Sequence, residues 1–99
     1  MQSFETKPLK ELYKAIALLQ TEEECAAFFE DVCTIKECLD MAQRFEAAKL
    51  LTKGKNYQQI SKEVGISTAT ISRVSRCIQY GSGGYGIALE RLEKAEEEA

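Results

Sequence analysis

Six residues near the C-terminal end, GSGGYG from Gly81 to Gly86, have the spacing G-x-G-x-x-G that is associated with binding of nucleotide phosphates. In a dinucleotide-binding domain this turn follows a β-strand and precedes a helix, because the phosphate rests at the helix N-terminus. Here a helical pattern precedes the glycines, and 99 residues are too few for a Rossmann domain. The sequence also lacks the GKS or GKT ending of a P-loop. We therefore interpret the match as accidental and the glycines as a turn between two helices.

The composition gives little support to catalytic or metal chemistry. The chain contains no histidine, which is the commonest acid–base catalyst and a frequent zinc ligand. No C-x-x-C pair is present, and no cluster of Ser, Lys and Glu resembles a nucleophile with its base. We expect no enzyme activity, no metal site and, without an export signal, no disulfide framework. The four cysteines are Cys25, Cys33, Cys38 and Cys77. We interpret three of them as small buried apolar side chains, with a redox-sensing role as the alternative.

A helix-turn-helix pattern spans Tyr57–Gln79, which reads YQQISKEVGISTATISRVSRCIQ. Ile60 and Val64 lie one turn apart on a short first helix, and Gly65 can adopt the positive φ of a tight turn. Ser61 is small where two crossing helices must approach closely. The other positions of the pattern are Ile66 in the turn, Ser67 as the cap of the second helix, and a buried stripe of Ile71, Val74 and Ile78. A plain αα-hairpin is the alternative.

The second helix of this pattern exposes side chains that suit the DNA major groove. Short hydroxyls and a methyl group let a helix approach the bases closely, and arginine can reach guanine edges or phosphates. No acidic residue lies between Gly65 and Gln79, where a carboxylate would repel phosphates. Lys53 and Lys55 in the preceding loop, and Gln58 at the start of the first helix, are candidate contacts to the DNA backbone. The predicted outward-facing set is Ser67, Thr68, Ala69, Thr70, Ser72, Arg73 and Arg76.

The net charge of −3 is unevenly distributed along the chain. Residues 49–79 carry six basic side chains and one acid, Glu63, for a net charge of +5. Residues 1–48 have a net charge of −5, and residues 80–99 have one of −3. A basic segment between acidic ones can direct a positive field at a polyanion while the whole chain stays soluble. An ordinary solvated helix surface is the alternative, and charge alone does not decide between them.

The rest of the sequence predicts helices. Cap signatures at Thr6, Thr21 and Thr34 predict a first helix over about 7–20, a second that begins at Thr21, and a third that runs to about Thr52, with Gly54 as its C-cap. No window shows the alternation of a strand, so we predict an all-α protein of one domain. The predicted segments are a dimerisation core at 1–54, the helix-turn-helix at 56–79, a Gly-rich turn at 80–86 and a C-terminal helix at 86–97.

The first three predicted helices carry more apolar surface than one three-helix layer can hide, and this favours an intimate homodimer. No apolar run approaches the roughly 18 residues that span a bilayer, and the N-terminus shows no signal-peptide pattern. We therefore expect no membrane partner and a cytoplasmic location.

The motif ISTATISRVS and the preceding LLTKGKNYQQISKEVG resemble the helix-turn-helix and its approach in the Trp repressor family, and in particular its shorter Trp-repressor-like bacterial relatives. The resemblance covers about Thr34–Gln79, with weaker agreement on either side. It implies a six-helix fold and an interwoven homodimer whose outer helices exchange between chains. It also implies that the second helix docks in the major groove, as that of the Trp repressor itself does.

The resemblance further implies a set of effector contacts, since the repressor binds tryptophan between its dimer core and its DNA-reading helices. The positions similar to its tryptophan contacts are Thr34, Arg44, Thr70 and Arg73. Two arginines can sandwich a planar group or pair with a carboxylate. However, Val74 stands where the repressor has glycine, Cys77 replaces a serine, and the turn between Gly54 and Tyr57 is one residue shorter. L-tryptophan, another small molecule and no effector at all therefore remain open, and Arg73 can serve either the ligand or DNA.

These observations predict a homodimeric bacterial transcriptional regulator that binds a specific double-stranded DNA site. A protein-interaction adaptor that uses the helix-turn-helix only as a scaffold is the alternative.

Overall fold

The structure is a computed structural model that describes residues 5–99. It contains six α-helices, α1 to α6, which are Lys7–Leu18, Glu22–Val32, Ile35–Thr52, Tyr57–Ile60, Thr68–Tyr80 and Gly84–Glu97. A π-helical turn, Ser61–Gly65, continues directly from α4. Residues 5–99 contain no strand, so the predicted all-α, six-helix fold is confirmed. No helix within this range is both long and apolar enough to cross a membrane.

Threonine side chains cap the first three helices, as the sequence predicts. Thr6 Oγ1 accepts a hydrogen bond from the backbone N–H of Leu9 at 3.3 Å. At α3, Thr34 Oγ1 accepts from the N–H of Glu37 at 3.1 Å, and Glu37 Oε1 accepts from the N–H of Thr34 at 2.8 Å. This reciprocal pair satisfies two backbone donors that a helix N-terminus otherwise leaves unpaired.

The start of α2 explains why α1 is two residues shorter than predicted. Thr21 Oγ1 accepts from the N–H of Glu24 at 3.0 Å, but the Glu24 carboxylate accepts from the N–H of Gln20 at 2.8 Å. The backbone N–H of Gln20 therefore belongs to the N-terminal cap of α2. Leu19 has an extended backbone, with φ −65° and ψ 136°, so α1 ends at Leu18 and not at residue 20.

The chain divides into two compact units, Met1–Leu39 and Asp40–Ala99. None of the described side chains of the first unit is buried, and Leu18 and Ile35 are 76% and 80% exposed. Cys25, Cys33 and Cys38 lie in this unit and are half-buried, and Cys77 is exposed, so the prediction that three of the four cysteines are buried is wrong. The predicted segment boundaries stay predictions, and residues 1–4 of the predicted 1–54 segment lie outside the described residues.

The second unit has a small core around the helix-turn-helix. Ile60 of α4 and Ile71 of α5 are fully buried and pack in one cluster with Ala47 and Leu50 of α3. Burial of an isoleucine side chain contributes about 1.5–3 kcal/mol. The partly buried side chains packed against this cluster are Leu51, Val64 and Ile66. Four aliphatic positions of the predicted pattern therefore pack together between α4 and α5, namely Ile60, Val64, Ile66 and Ile71.

The turn between α4 and α5 depends on one glycine and one serine. Gly65 has φ +81°, a left-handed conformation that L side chains rarely adopt, as the sequence predicts. Ser61 Oγ donates a hydrogen bond to the carbonyl of Ile66 at 2.6 Å. Gln43 of α3 donates from Nε2 to the carbonyl of Val64 at 3.4 Å. Two side chains thus satisfy carbonyls that the turn takes out of regular helical pairing.

Glycines set both ends of the loop between α5 and α6. Gly81 closes α5, and its N–H donates to the carbonyl of Cys77 at 2.8 Å. A Cβ atom at this position would collide with the same carbonyl, so only glycine fits. Gly83 has φ +84° and turns the chain directly into α6, which therefore begins at Gly84 and not at the predicted residue 86.

Replacement of Gly65 by alanine should lower the free energy of unfolding by about 1–2 kcal/mol, because that is the cost of a left-handed conformation for an L residue. No side chain or more distant part of the chain lies within 4 Å of the position that the new Cβ would occupy, so local backbone strain sets the effect. The matched control is Gly86→Ala in α6, which should raise the free energy of unfolding by up to ~1 kcal/mol. Urea denaturation at equal chain concentration measures both values. Equal changes in the two variants would contradict the assigned role of φ.

Ser61→Ala keeps the small size but removes the hydrogen bond to Ile66, so it should destabilise the fold by about 1 kcal/mol. Ser72→Ala is the control, since Ser72 is exposed and its loss should change stability by less than about 0.5 kcal/mol. Thermal melts followed by circular dichroism compare the two variants. If Ser61→Ala melts at the wild-type temperature, small size is the only requirement at this position.

Candidate nucleic-acid interface

Helix α5 has a buried side and an exposed side. Ile71 and Val74 are 0% and 2% exposed, and Ile78, one turn further, is half-buried. With 3.6 residues per turn, Ala69 and Arg76 fall on the opposite side of the helix, and both are exposed. The buried stripe therefore directs the other face of α5 toward solvent.

Most of the side chains predicted to meet DNA are exposed, and they are Lys53, Lys55, Gln58, Ser67, Thr68, Ala69, Ser72, Arg73 and Arg76. Thr70 departs from the prediction of an outward-facing residue, because it is half-buried. Its backbone N–H donates to Ser67 Oγ at 3.1 Å, and its hydroxyl lies 3.0 Å from the same oxygen. Ser67 and Thr70 thus hold the first turn of α5 together.

The exposed face of α5 is electrostatically positive. Arg73 and Arg76 have no ion-pair partner among residues 5–99, and α5 itself contains no acidic residue. Glu63, in the π-helical turn, is the single acid between residues 49 and 79 and is exposed. Two unneutralised guanidinium groups on one helix face can bind phosphates or guanine edges.

The two loop lysines have different surroundings. Lys53 lines a cleft of about 320 Å³ between α3 and α6, together with Glu93 and Glu96. These carboxylates lower the positive potential at Lys53. Lys55 is exposed and does not line that cleft, and its backbone N–H is fixed by the carbonyl of Leu50 at 3.1 Å. Lys55 is therefore the better placed of the two for a phosphate contact.

The four candidate effector contacts lie on different elements. Thr34 is the exposed cap of α3 in the first unit, and its hydroxyl is already used by Glu37. Arg44 is exposed on α3 in the second unit. Thr70 and Arg73 lie about one turn apart on α5 in the second unit.

One cysteine of the first unit, Cys33, has a thiol with a raised pKa. Partial burial, and then the neighbouring Cys38 and Glu37, raise the pKa of the Cys33 thiol above its usual value. A raised pKa reduces the thiolate fraction at neutral pH, and the thiolate is the reactive form. Cys38 Sγ lies 3.6 Å from the carbonyl of Phe29, to which it donates.

Three residues of the second unit contribute to this surface without having been predicted to do so. Asn56 caps α4, since its side chain accepts from Gln59 at 2.9 Å, and the N-x-x-Q spacing is the signal that predicts such a cap. Lys62 is exposed and lies one helical turn after Gln58. Residues at this spacing are neighbours on a helix surface, so Lys62 adds a positive charge beside Gln58. The bond from Gln43 to the turn joins positions 21 residues apart, for which a single sequence carries no signal.

Comparisons with known proteins agree with this arrangement. The sequence profile of the family described as Trp repressor protein matches residues 7–93. The uncharacterized protein YerC of Bacillus subtilis (strain 168) is 47% identical over 93 residues, which cover 94% of this chain and 89% of YerC. A TrpR-like protein from Eubacterium eligens has a similar crystal structure, with a TM-score of 0.86, 47% identity, and coverage of 90% of this chain and 92% of that one.

A crystal structure of a candidate Trp repressor from Staphylococcus aureus is also similar, with a TM-score of 0.85 and 43% identity. That match covers 90% of this chain and 89% of the other. Because the family profile spans most of the sequence and the fold agrees, the chain belongs to the Trp repressor family.

Proposed function

We propose that this protein is a homodimeric transcriptional regulator that binds double-stranded DNA through α5, in the bacterial cytoplasm where the chromosome lies. One observation carries the proposal: the acid-free, exposed face of α5, where Arg73 and Arg76 lie opposite the buried Ile71 and Val74. A regulator of the Trp repressor type uses the corresponding helix in the major groove.

Along this face of α5 the side chains change from short to long, in the order that binding in the major groove requires. In a helix-turn-helix protein, the N-terminal part of the second helix meets the base edges. Here that part carries Thr68, Ala69 and Ser72, whose short side chains permit close approach, and the Ala69 methyl suits a thymine methyl. Arg73 and Arg76 follow and are long enough to reach guanine or phosphate oxygens. Other candidate phosphate contacts are Lys53, Lys55 and Gln58.

The homodimer is supported by the apolar surface of the first unit. Val32 and Leu39 are 58% and 59% exposed, in addition to Leu18 and Ile35. Large apolar side chains that stay exposed in a folded chain mark interaction sites when they form a patch. A second copy is the partner that we propose for it, because two identical DNA-binding helices then meet a two-fold symmetric site whose half-sites are about one helical turn apart.

We propose that DNA binding does not require tryptophan. The hydroxyl of Thr70 is engaged by Ser67, and Val74 and Cys77 replace the smaller and hydroxylated residues of the repressor. Arg73 is then available for DNA. Another small effector, or none, fits the same observations.

Selection of binding sites from random duplex DNA tests the proposal. The expected result is enrichment of a two-fold symmetric sequence, which is the same in the presence and absence of tryptophan because the family's contacts to that ligand are altered here. Enrichment only when tryptophan is added would make it the effector. A failure to enrich any sequence, together with no retention on heparin at low salt, would favour a protein-interaction adaptor.

Arg76→Ala should weaken binding to the selected duplex and reduce the slope of log K against log salt concentration by roughly 1, because one phosphate contact releases about one counterion. The matched control is Arg91→Ala, an exposed arginine on α6. Fluorescence anisotropy at several salt concentrations measures affinity and slope for both variants. An affinity and slope equal to those of the wild type would remove Arg76 from the interface.

A further inference from the structure

We propose that Tyr80, the last residue of α5, donates its phenolic O–H to a DNA phosphate at the edge of the major groove. This inference rests on the proposed DNA-binding function and adds to it a neutral contact beyond the arginines. Tyr80 is 78% exposed, whereas Tyr13 and Tyr57 are 53% and 38% exposed. A tyrosine side chain this exposed has both its ring and its hydroxyl accessible to a partner.

Tyr80 continues the line of side chains that forms the candidate interface. With 3.6 residues per turn, positions 69, 73, 76 and 80 lie within about 60° of one another around α5. Their side chains are all exposed, and the buried Ile71 and Val74 lie on the other side. Tyr80 is one turn beyond Arg76, so it faces the same partner as Arg76.

Length along the helix places Tyr80 at the DNA backbone and not at the bases. Tyr80 lies eleven positions after Ala69, which corresponds to about 16 Å at the helical rise of 1.5 Å per residue. The major groove is about 12 Å wide. If Ala69 lies against base edges, as in the proposed function, the end of α5 extends past the bases to the phosphates that border the groove.

The chemistry of this end of α5 suits a phosphate. The charged residues of α5 are Arg73 and Arg76, and both attract the anion toward Tyr80. Tyrosine hydroxyls are among the usual donors to phosphate oxygens, which fix the register of a protein on the duplex. The next residue, Gly81, has no side chain that could cover Tyr80.

The experiment compares Tyr80→Phe with the wild type on the selected duplex by fluorescence anisotropy. Removal of the hydroxyl should weaken affinity about three- to tenfold, which corresponds to the loss of one hydrogen bond. The salt slope should not change, because a neutral donor releases no counterion, unlike Arg76. The matched control is Tyr13→Phe, the same substitution at an exposed tyrosine of α1, and it should bind like the wild type.

Several outcomes would overturn the inference. Tyr80→Phe that binds like the wild type would exclude the hydroxyl contact, even if Tyr80→Ala binds weakly. A loss of affinity that accompanies a change in oligomer mass, measured by light scattering, would assign Tyr80 to a contact between copies. If the wild type binds no duplex, the proposed DNA-binding function is wrong. If the wild type binds and Tyr80→Phe binds with the same affinity, only the inference about Tyr80 is wrong.

Discussion

The packing of Ile60 against Ile71 across the Gly65 turn is the constraint on which the candidate interface depends. Among the described residues, these are the two large side chains with no exposed surface, and they come from the two helices of the motif. Rotation of α5 by one residue would expose Ile71, at a cost of about 1.5–3 kcal/mol for that side chain alone. The buried side of α5 thus fixes which of its residues face outward. The direction of Arg73 and Arg76 is a consequence of apolar packing on the opposite side of the helix.

Local polar contacts refine this arrangement. The Ser61 hydroxyl satisfies the Ile66 carbonyl, the Ser67 hydroxyl satisfies the Thr70 N–H, and Gln43 connects α3 to the turn. Each contributes on the order of 1 kcal/mol, which is small beside the burial of the two isoleucines. These hydrogen bonds mainly fix the orientation of α5 before a partner binds. A helix that is already ordered loses less backbone conformational entropy when it binds.

Much of this fold follows from the sequence because its signals are local. The three threonine caps, the positive φ of Gly54 and Gly65, and the buried Ile60, Ile71 and Val74 each depend on a few neighbouring residues. The π-helical turn was not predicted, because the sequence analysis used only the small size of Ser61, whereas in the structure its hydroxyl also donates to the carbonyl of Ile66. The sequence predicts that Thr70 faces outward, because it is a short hydroxyl residue like its neighbours on the second helix. Its contact with Ser67 makes it part of the helix cap instead.

The distribution of burial links folding to the proposed assembly. All the buried apolar side chains among the described residues lie between Ala47 and Val74, within the second unit. The first unit has no buried apolar side chain among those described, and several of its large ones are exposed. A single chain with so small a core gains stability from any partner that covers this surface, because binding to the folded state shifts the folding equilibrium. If that partner is a second copy, the same event that stabilises the chain also pairs two DNA-binding helices. Folding, assembly and recognition of a two-fold site then depend on one quantity, the concentration of the protein.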